Sequence, residues 1–481
     1  MKFVIKLFPE IIVKSKPVRK QFISQLKKNL RKLMREIDNS IIVAGSWDFV
    51  EVRLEGDLEL RETEVLEVLK HTPGIDFILK VNAHEFESLE DIVDITVAEY
   101  KEKVKGKTFC VRAKRAGKHP FTSIQLEQQA GGALFQQSES AGVKLKDPEI
   151  TVNLEVKDNQ FFTIDYRVEG LGGYPIGQQE ACLSLISGGY DSSVASYLMI
   201  RRGIRTHYLF FNLGGMAHEV GVKQVAHYLW QKYSSTHRVL FITIPFENVV
   251  TEILTNVHHS QMGVVLKRMM LRVAEKVAHD FHIPGLVTGE CVGQVSSQTM
   301  TNLSVIDQAT SMLTMRPLIT MDKQDIIKLS RETGTEDFAA AMPEYCGVIS
   351  DKPTTRAKLE KIEHEESRFD FAVLEEAFTN RKVENIDSLY RAETNLDNVE
   401  VVSMPSSSDV VIDIRHPQEL ALKPLYLTKN KVLSIPFFKI QTSEELNKNT
   451  EYLLYCEKGI MSQLQAEELI NKGYKIKIYQ P

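Results

Sequence analysis

The chain has 481 residues, of which 43% are hydrophobic and 26% charged, with a formal net charge of -5. This length exceeds a single core and predicts roughly three or four domains, and no apolar run approaches the ~18 residues of a membrane span. Five cysteines, none in a Cys-x-x-Cys pair, argue against a secreted disulfide scaffold and a zinc site, so a soluble cytoplasmic protein with no membrane partner is expected. The amino terminus, MKFVIKLFPEIIVKSKP, has charges within its apolar run and no small-residue cleavage site, unlike a signal peptide.

In chain order, residues 1 to about 60 read strand, helix, strand. "KFVIKLF" is apolar, "KPVRKQFISQLKKNLRKLM" places Val18, Phe22, Ile23, Leu26, Leu30 and Leu33 at helical spacing, and "SWDFVEVRLEG" alternates. So small a piece needs its neighbour to complete a core. A second α+β stretch follows, with helices in "ETEVLEVLKHTPGI" and "SLEDIVDITVAEYKEKV" and strands in "DFILKVNAHEF", "TFCVRAKRAG" and "ITVNLEVKDNQFFTIDYRVEG". Glycine-rich Glu169 to Gln178 reads as a linker.

From Glu180 the pattern becomes strand–helix alternation ("ACLSLIS", "THYLFFNLGG", "HRVLFITIPF", "IPGLVTGE"), the mark of a parallel sheet covered on both faces. Residues 351 to about 400 read as charged and helical without strand signals. "SMPSSSD" is a second linker, and the last stretch repeats the α/β theme in miniature. The domains expected are 1–60, 61–167, 178–400 and 404–481.

Charge is unevenly placed. Lys14 to Arg35 holds nine basic residues and Lys105 to His119 six Lys/Arg, with no Asp or Glu in either run. One such run is usually a solvated face; two in the front third of an acidic protein point to polyanion binding there. Arg112, Lys114, Arg115 and Lys118 of the second run are the candidate polyanion contacts.

The stretch "LSLISGGYDSSVASYLMIRRG" (Leu183 to Gly203) is a buried strand, a small-residue turn and a helix. Free backbone N–H groups at the start of a helix make an anion site. Gly188 and Gly189 let phosphate approach the main chain, and Ser187 and Ser192 add hydroxyl donors. Asp191 either caps the helix or holds a Mg²⁺ bound to the phosphates. A Walker loop would carry a lysine reaching the terminal phosphates; its absence suits a site that grips them as one leaving group, with attack at the α-phosphorus. The set Ser-Gly-Gly-x-Asp-Ser resembles the PP-loop ATP pyrophosphatase superfamily, whose members activate a carbonyl oxygen by AMP transfer.

Cys456 follows the apolar "EYLLY" and precedes a helix, where the dipole favours thiolate; a buried core cysteine is the commoner fate. The loop "CEKGIMS" resembles the active-site loop of rhodanese domains, in which the cysteine carries a persulfide, and "VVIDIRHPQE" resembles the early Asp-x-Arg strand of that fold. Cys346, in "AAMPEYCGVIS", is a weak candidate alone. Cys110, Cys182 and Cys291 lie in or beside apolar runs and read as structural.

Together these features resemble the tRNA 4-thiouridine synthetase family in its long form, over essentially the whole chain. "FCVRAKRAGKHPFTS", "LVTGECVGQVSSQTMTNL", "MRPLITMDKQDII" and "TEDFAAAMPEYCGVIS" carry the match beyond the loop. The resemblance implies a ferredoxin-like domain, a THUMP RNA-binding domain, a doubly wound PP-loop domain and a rhodanese-like domain. It implies ATP and Mg²⁺ as cofactors, tRNA as substrate and a cysteine desulfurase as sulfur donor. Persulfide sulfur on Cys456 would replace O4 of the uridine at position eight, and Cys346 would resolve the carrier as a Cys346–Cys456 disulfide. Nucleotide contacts would come from Leu185, Ile186, Lys267, Gly289 and Gln298. Lys323 would neutralise phosphate, though an exposed helix-start lysine reads equally well, and Lys267 reads alternatively as a snorkelling helix lysine. The family also feeds sulfur into the thiamine thiazole through a sulfur-carrier protein. Two other readings are a sulfur carrier for a protein acceptor and an RNA-binding protein with an idle PP-loop.

Overall fold

The computed structural model of the chain describes residues 1–45, 50–213, 215–342, 352–389, 399–415, 417–427, 429–440, 443, 445–456 and 460–481. It divides into two compact units, Met1–Pro175 and Ile176–Pro481.

The first unit is built on one eight-stranded sheet. Its strands are β1 (Lys2–Leu7), β2 (Ile42–Gly45), β3 (Val50–Arg53), β4 (Ile75–Glu85), β5 (Thr108–Ala116), β6 (Gly142–Val143), β7 (Ile150–Lys157) and β8 (Gln160–Gly172), in the order β2-β3-β1-β4-β8-β7-β5-β6. β4 pairs antiparallel with β1 on one side and with β8 on the other, so the amino-terminal piece completes its core with the segment that follows it. The helix Lys16–Ile37 buries Phe22, Ile23, Leu26, Leu30 and Met34 and leaves Lys20, Lys28, Arg31, Lys32 and Arg35 exposed. Val18 is exposed and Leu33 half-buried, because Met34 takes the last core position of the stripe. A second core lies under the helices Leu89–Tyr100 and Ser123–Gln137, around Phe109, Val111, Leu126 and Val152.

The helix Ser123–Gln137 is absent from the sequence reading. Its Thr122–Gln125 capping box, with both reciprocal bonds formed, is a helix-start signal, and the mid-helix Gly131-Gly132 pair obscures it. The expected linker at Glu169 to Gln178 is corrected too. Its first four residues belong to β8, and Tyr174 is buried, with its ring 5.2 Å from that of Phe22.

The second unit contains two sheets. The larger comprises β9 (Ala181–Leu185), β10 (Arg205–Asn212), β11 (Leu240–Pro245), β12 (Gly285–Val287), β13 (Leu313–Met315) and β14 (Lys382–Asn385), ordered β13-β12-β9-β10-β11-β14. β9 to β13 are parallel. Alternation along β10 sends Leu209 and Phe211 to one face and Tyr208 and Phe210 to the other, and helices cover both. β14 pairs antiparallel with β11 at the edge. It corrects the strandless reading of 351–400: a four-residue edge strand, with only its third position half-buried, carries too little alternation to be read. From β9 the chain winds outward through β10 and β11, then returns to β12 on the other side. The topological switch point therefore lies at the carboxyl ends of β9 and β12.

The smaller sheet is parallel, with β15 (Val401–Val402), β16 (Val410–Asp413), β17 (Lys431–Ser434), β18 (Glu451–Tyr455) and β19 (Lys475–Tyr479) in the order β15-β19-β18-β16-β17. An apolar cluster joins the two sheets of this unit, running from Ile186 and Tyr208 to Phe437 and Leu454, with the Phe338 and Phe437 rings 5.0 Å apart.

Candidate active site

Leu185 ends β9, and Ile186, Ser187, Gly188 and Gly189 form the turn into the helix Tyr190–Arg201. Gly188 has φ +81°, where a side chain is strained. The turn is held by its own serines: Ser192 Oγ accepts from Ser187 N–H at 3.1 Å and lies 3.0 Å from Ser187 Oγ, and Ser193 Oγ donates to Gly189 O at 2.8 Å. His218 Nε2 lies 3.3 Å from Ser187 O. Burial pushes that imidazole below its ordinary pKa, and the contact with Ser187 only partly offsets this.

The second wall comes from the loop after β12. A Cβ on Gly289 would stand 2.7 Å from both Asp191 C and Ser192 N, so the two loops touch through backbone and only glycine fits. Two carboxylates with their cationic partners, and one buried amide, surround this contact. Asp191 accepts from Lys323 Nζ and Gln294 Nε2, each at 2.8 Å. Glu290 is buried and ion-paired with Lys267 and with Arg316, the latter at 2.8 Å. Burial opposes its ionisation, yet the Lys267 and Arg316 charges outweigh burial and hold the carboxyl below its usual range. Gln298, in the turn Ser296–Gln298, is buried, and its side-chain oxygen has no hydrogen-bond partner among the described residues.

Leu185, Ile186, Ser187, Gly188, Gly189, Asp191, Ser192 and Gly289 thus meet at the switch point, with Lys323 joined to Asp191 and Lys267 to the residue after Gly289. Lys267 does not snorkel into solvent; its ammonium is held by a carboxylate. Gln294, Glu290 and Arg316 escaped the sequence reading although all three lie inside the quoted stretches, because lone polar residues in loops carry no spacing signal.

Cys456 directly follows β18 and is 6% exposed. Its sulfur accepts from Ser462 N–H at 3.3 Å, in the first turn of the helix Ile460–Asn471. Beside it, Asp413 and Arg415 form a buried pair at 2.6 Å, with the Arg415 guanidinium 5.0 Å from the Tyr455 ring centre. Cys346 lies outside the described residues. Met342, four positions before it in the sequence, packs on the glycine loop: a Cβ on Gly188 would stand 3.0 Å from Met342 Cε. Cys110, Cys182 and Cys291 are buried, and burial pushes the Cys182 thiol up to about 12.

In the first unit, Arg112, Lys114 and Lys118 are exposed on β5 and the turn after it. Arg115 is half-buried and occupied by Gly117 O at 3.1 Å and His119 Nδ1 at 3.0 Å. Among the described residues no group of three His, Cys, Asp or Glu forms a metal cluster, and no helix is long and apolar enough to cross a membrane.

A parallel sheet with a lysine-free Ser-Gly-Gly-x-Asp-Ser loop at its switch point defines a PP-loop domain, and comparison with known proteins agrees. Residues 177–371 match the family model Thiamine biosynthesis protein (ThiI), residues 84–163 the THUMP domain and residues 2–78 the ThiI ferredoxin-like domain. The chain is 51% identical over 484 residues to the tRNA sulfurtransferase of Shewanella piezotolerans and 51% identical over 483 residues to that of Marinobacter nauticus, covering 100% of each chain in both cases. It belongs to the tRNA sulfurtransferase family. Among solved structures it is similar to a 4-thiouridine synthetase–RNA complex with bound ATP, at 25% identity and TM-score 0.69, covering 80% of this chain and 99% of that one. The fold is shared with PH1313 from Pyrococcus horikoshii, at 19% identity and TM-score 0.54, covering 69% and 100% of the two chains.

Proposed function

We propose that this chain is an ATP-dependent sulfurtransferase that converts the uridine at position eight of tRNA to 4-thiouridine in the cytoplasm. The observation that carries the reading is the serine-braced loop at the switch point, sealed by Gly289, in a chain related over its whole length to tRNA sulfurtransferases. Its parts fit ATP. The N–H groups of the turn and the helix start suit a polyphosphate, Lys267 and Lys323 supply cations, and the unpartnered Gln298 oxygen is an acceptor for an exocyclic amino group. Asp191, a single carboxylate beside the phosphate turn, would hold Mg²⁺ in the manner of sites that combine one carboxylate with substrate phosphates. Uridine O4 attacks the α-phosphorus and pyrophosphate leaves.

Residues 404–481 act in this reading as a rhodanese-like domain. Cys456 takes the terminal sulfur of a persulfide from a cysteine desulfurase, and Ser462 N–H stabilises the charged sulfur. That sulfur attacks C4 of the activated base and AMP departs. Cys346 then attacks the Cys456 sulfur, breaking its bond to the transferred sulfur and leaving 4-thiouridine and a Cys346–Cys456 disulfide, which an external thiol reductant reopens. The tRNA is held by the 1–60 and 61–167 domains through the basic helix and Arg112, Lys114, Arg115 and Lys118, and 178–400 carries the adenylylation. The family description Thiamine biosynthesis protein supports a second reading: Cys456 also delivers sulfur to a thiazole sulfur-carrier protein.

The order at the two cysteines is testable by intact-protein mass after incubation with desulfurase and cysteine, then with ATP and tRNA. Cys456→Ser loses sulfur loading; Cys346→Ser loads but forms no disulfide and does not turn over. Loading on Cys346 in the Cys456→Ser protein at the wild-type rate would reverse the roles.

A further inference from the structure

The carboxylate of Glu290 divides its two oxygens between different tasks. Oε2 accepts from Arg316 Nε at 2.8 Å and from Thr288 Oγ1 at 3.0 Å. Oε1 receives only the Lys267 ammonium among its described hydrogen bonds. Arg316 is itself anchored, donating through Nη1 and Nη2 to Asp307, at 3.1 Å and 2.5 Å. The carboxylate is therefore oriented from behind by groups with fixed positions, and its other oxygen sets where the flexible lysine ends.

That position is next to the loop. Glu290 follows Gly289, whose backbone touches Asp191 and Ser192. The lysine stem rises from the helix Met262–Asp280, whose residues Val265, Leu266 and Met269 are buried in the core beneath the sheet. A lysine on such a helix has four rotatable bonds and no preference for the loop side; the buried carboxylate supplies one.

We propose that Glu290 is a positioning residue for the nucleotide: locked by Arg316 and Thr288 through one oxygen, it uses the other to hold Lys267 where the polyphosphate of ATP arrives. This rests on the reading of the Ser187–Ser192 loop as an ATP site. When the polyphosphate binds, Lys267 gains a second anionic partner without having to be ordered first, which lowers the conformational cost of binding.

The test is isothermal titration calorimetry of the full-length chain with Mg²⁺ and α,β-methylene ATP, without tRNA, so that binding is read apart from thiolation. Glu290→Gln keeps the shape but loses the charge that holds the lysine, and it weakens ATP binding about tenfold. Lys267→Met has a similar effect. Because both act through one contact, the double variant is no weaker than Lys267→Met alone to within about twofold, a non-additivity that a merely structural role would not produce. Additive losses, or a wild-type Kd in Glu290→Gln, would overturn the proposal. If Glu290→Gln does not fold, Thr288→Val decides: loss of one grip on the carboxylate weakens ATP by about two- to fivefold, and an unchanged Kd overturns the proposal. A wild-type chain that binds no ATP analogue would instead overturn the ATP reading of the loop, and this proposal with it.

Discussion

Two of the charged residues at the switch point hold their partners in unlike ways. The Asp191–Lys323 pair is partly open to water, with side-chain exposures of 25% and 42%, whereas Glu290 is buried and its partner Arg316 is anchored by Asp307. An open pair contributes little to stability and exchanges readily, which in the proposed reading lets Asp191 trade the lysine for a metal. A buried one is a permanent fixture whose removal leaves uncompensated charge. His207 on β10 illustrates the same physics with a measurable sign. It is buried, its Nδ1 accepts from Leu240 N–H at 2.9 Å, and burial, reinforced by the Arg205 charge, pulls its pKa from 6.5 to about 4. Above pH 6.5 it is neutral whether folded or not and has no effect. Between 6.5 and 4 the unfolded chain takes up a proton that the folded chain refuses, so stability falls as pH falls, by up to about 3 kcal/mol once below both values. His207→Asn keeps an acceptor for Leu240 and should show a shallower loss of the urea midpoint between pH 6.5 and 4. An identical slope in both proteins would contradict this account of His207. The glycine-serine loop could be read from the sequence because its function is encoded in consecutive residues. The Glu290 arrangement could not, because its partners at 267, 288 and 316 meet only through the fold.

Among the elements, the helix Lys16–Ile37 has an apolar face that holds the fold and a basic face that the proposed reading gives to tRNA. Leu26 and Leu30 are fully buried under the sheet, so Leu26→Ala should cost about 2–5 kcal/mol. Lys28, Lys32 and Arg35 are exposed; the triple change to Glu should leave the melting temperature nearly unchanged while weakening tRNA binding. Each lost phosphate contact should also flatten the log affinity–log salt slope, by an amount on the order of the 0.7 to 0.9 per phosphate found for single-stranded and duplex DNA. Wild-type salt dependence in a folded triple variant would remove this helix from the RNA surface. The apolar stripe announced the helix in advance, with its start at Lys16 and its far end three residues short of Ile37. Short elements were less visible. β13 and β14, of three and four residues, are strands because a preformed neighbour pairs with them, and their own sequences carry almost no pattern.

At the scale of the whole molecule, the first unit presents the basic helix and β5, while the second carries both the switch-point loop and Cys456. Within that second unit, one apolar cluster runs from Ile186 of the loop region to Cys456, and Met342 packs at the glycine turn. The sequence foretold the alternation of strands and helices from Glu180 onward, since a parallel sheet buried on both faces demands continuous apolar runs. It did not foretell that β4 would bind the two front segments into one sheet, because pairing between distant strands leaves no local trace. The central claim is that ATP chemistry at the loop and sulfur chemistry at Cys456 act on one tRNA base. It is tested most directly by incubating the purified chain with unmodified tRNA, ATP, Mg²⁺, cysteine, a cysteine desulfurase and a thiol reductant, then digesting the tRNA and measuring its nucleosides by mass spectrometry. The account predicts 4-thiouridine at position eight, pyrophosphate released in step with it, and neither product from Asp191→Ala even though that variant still loads sulfur on Cys456. A tRNA that stays unthiolated while wild-type Cys456 carries persulfide and ATP is present would contradict it.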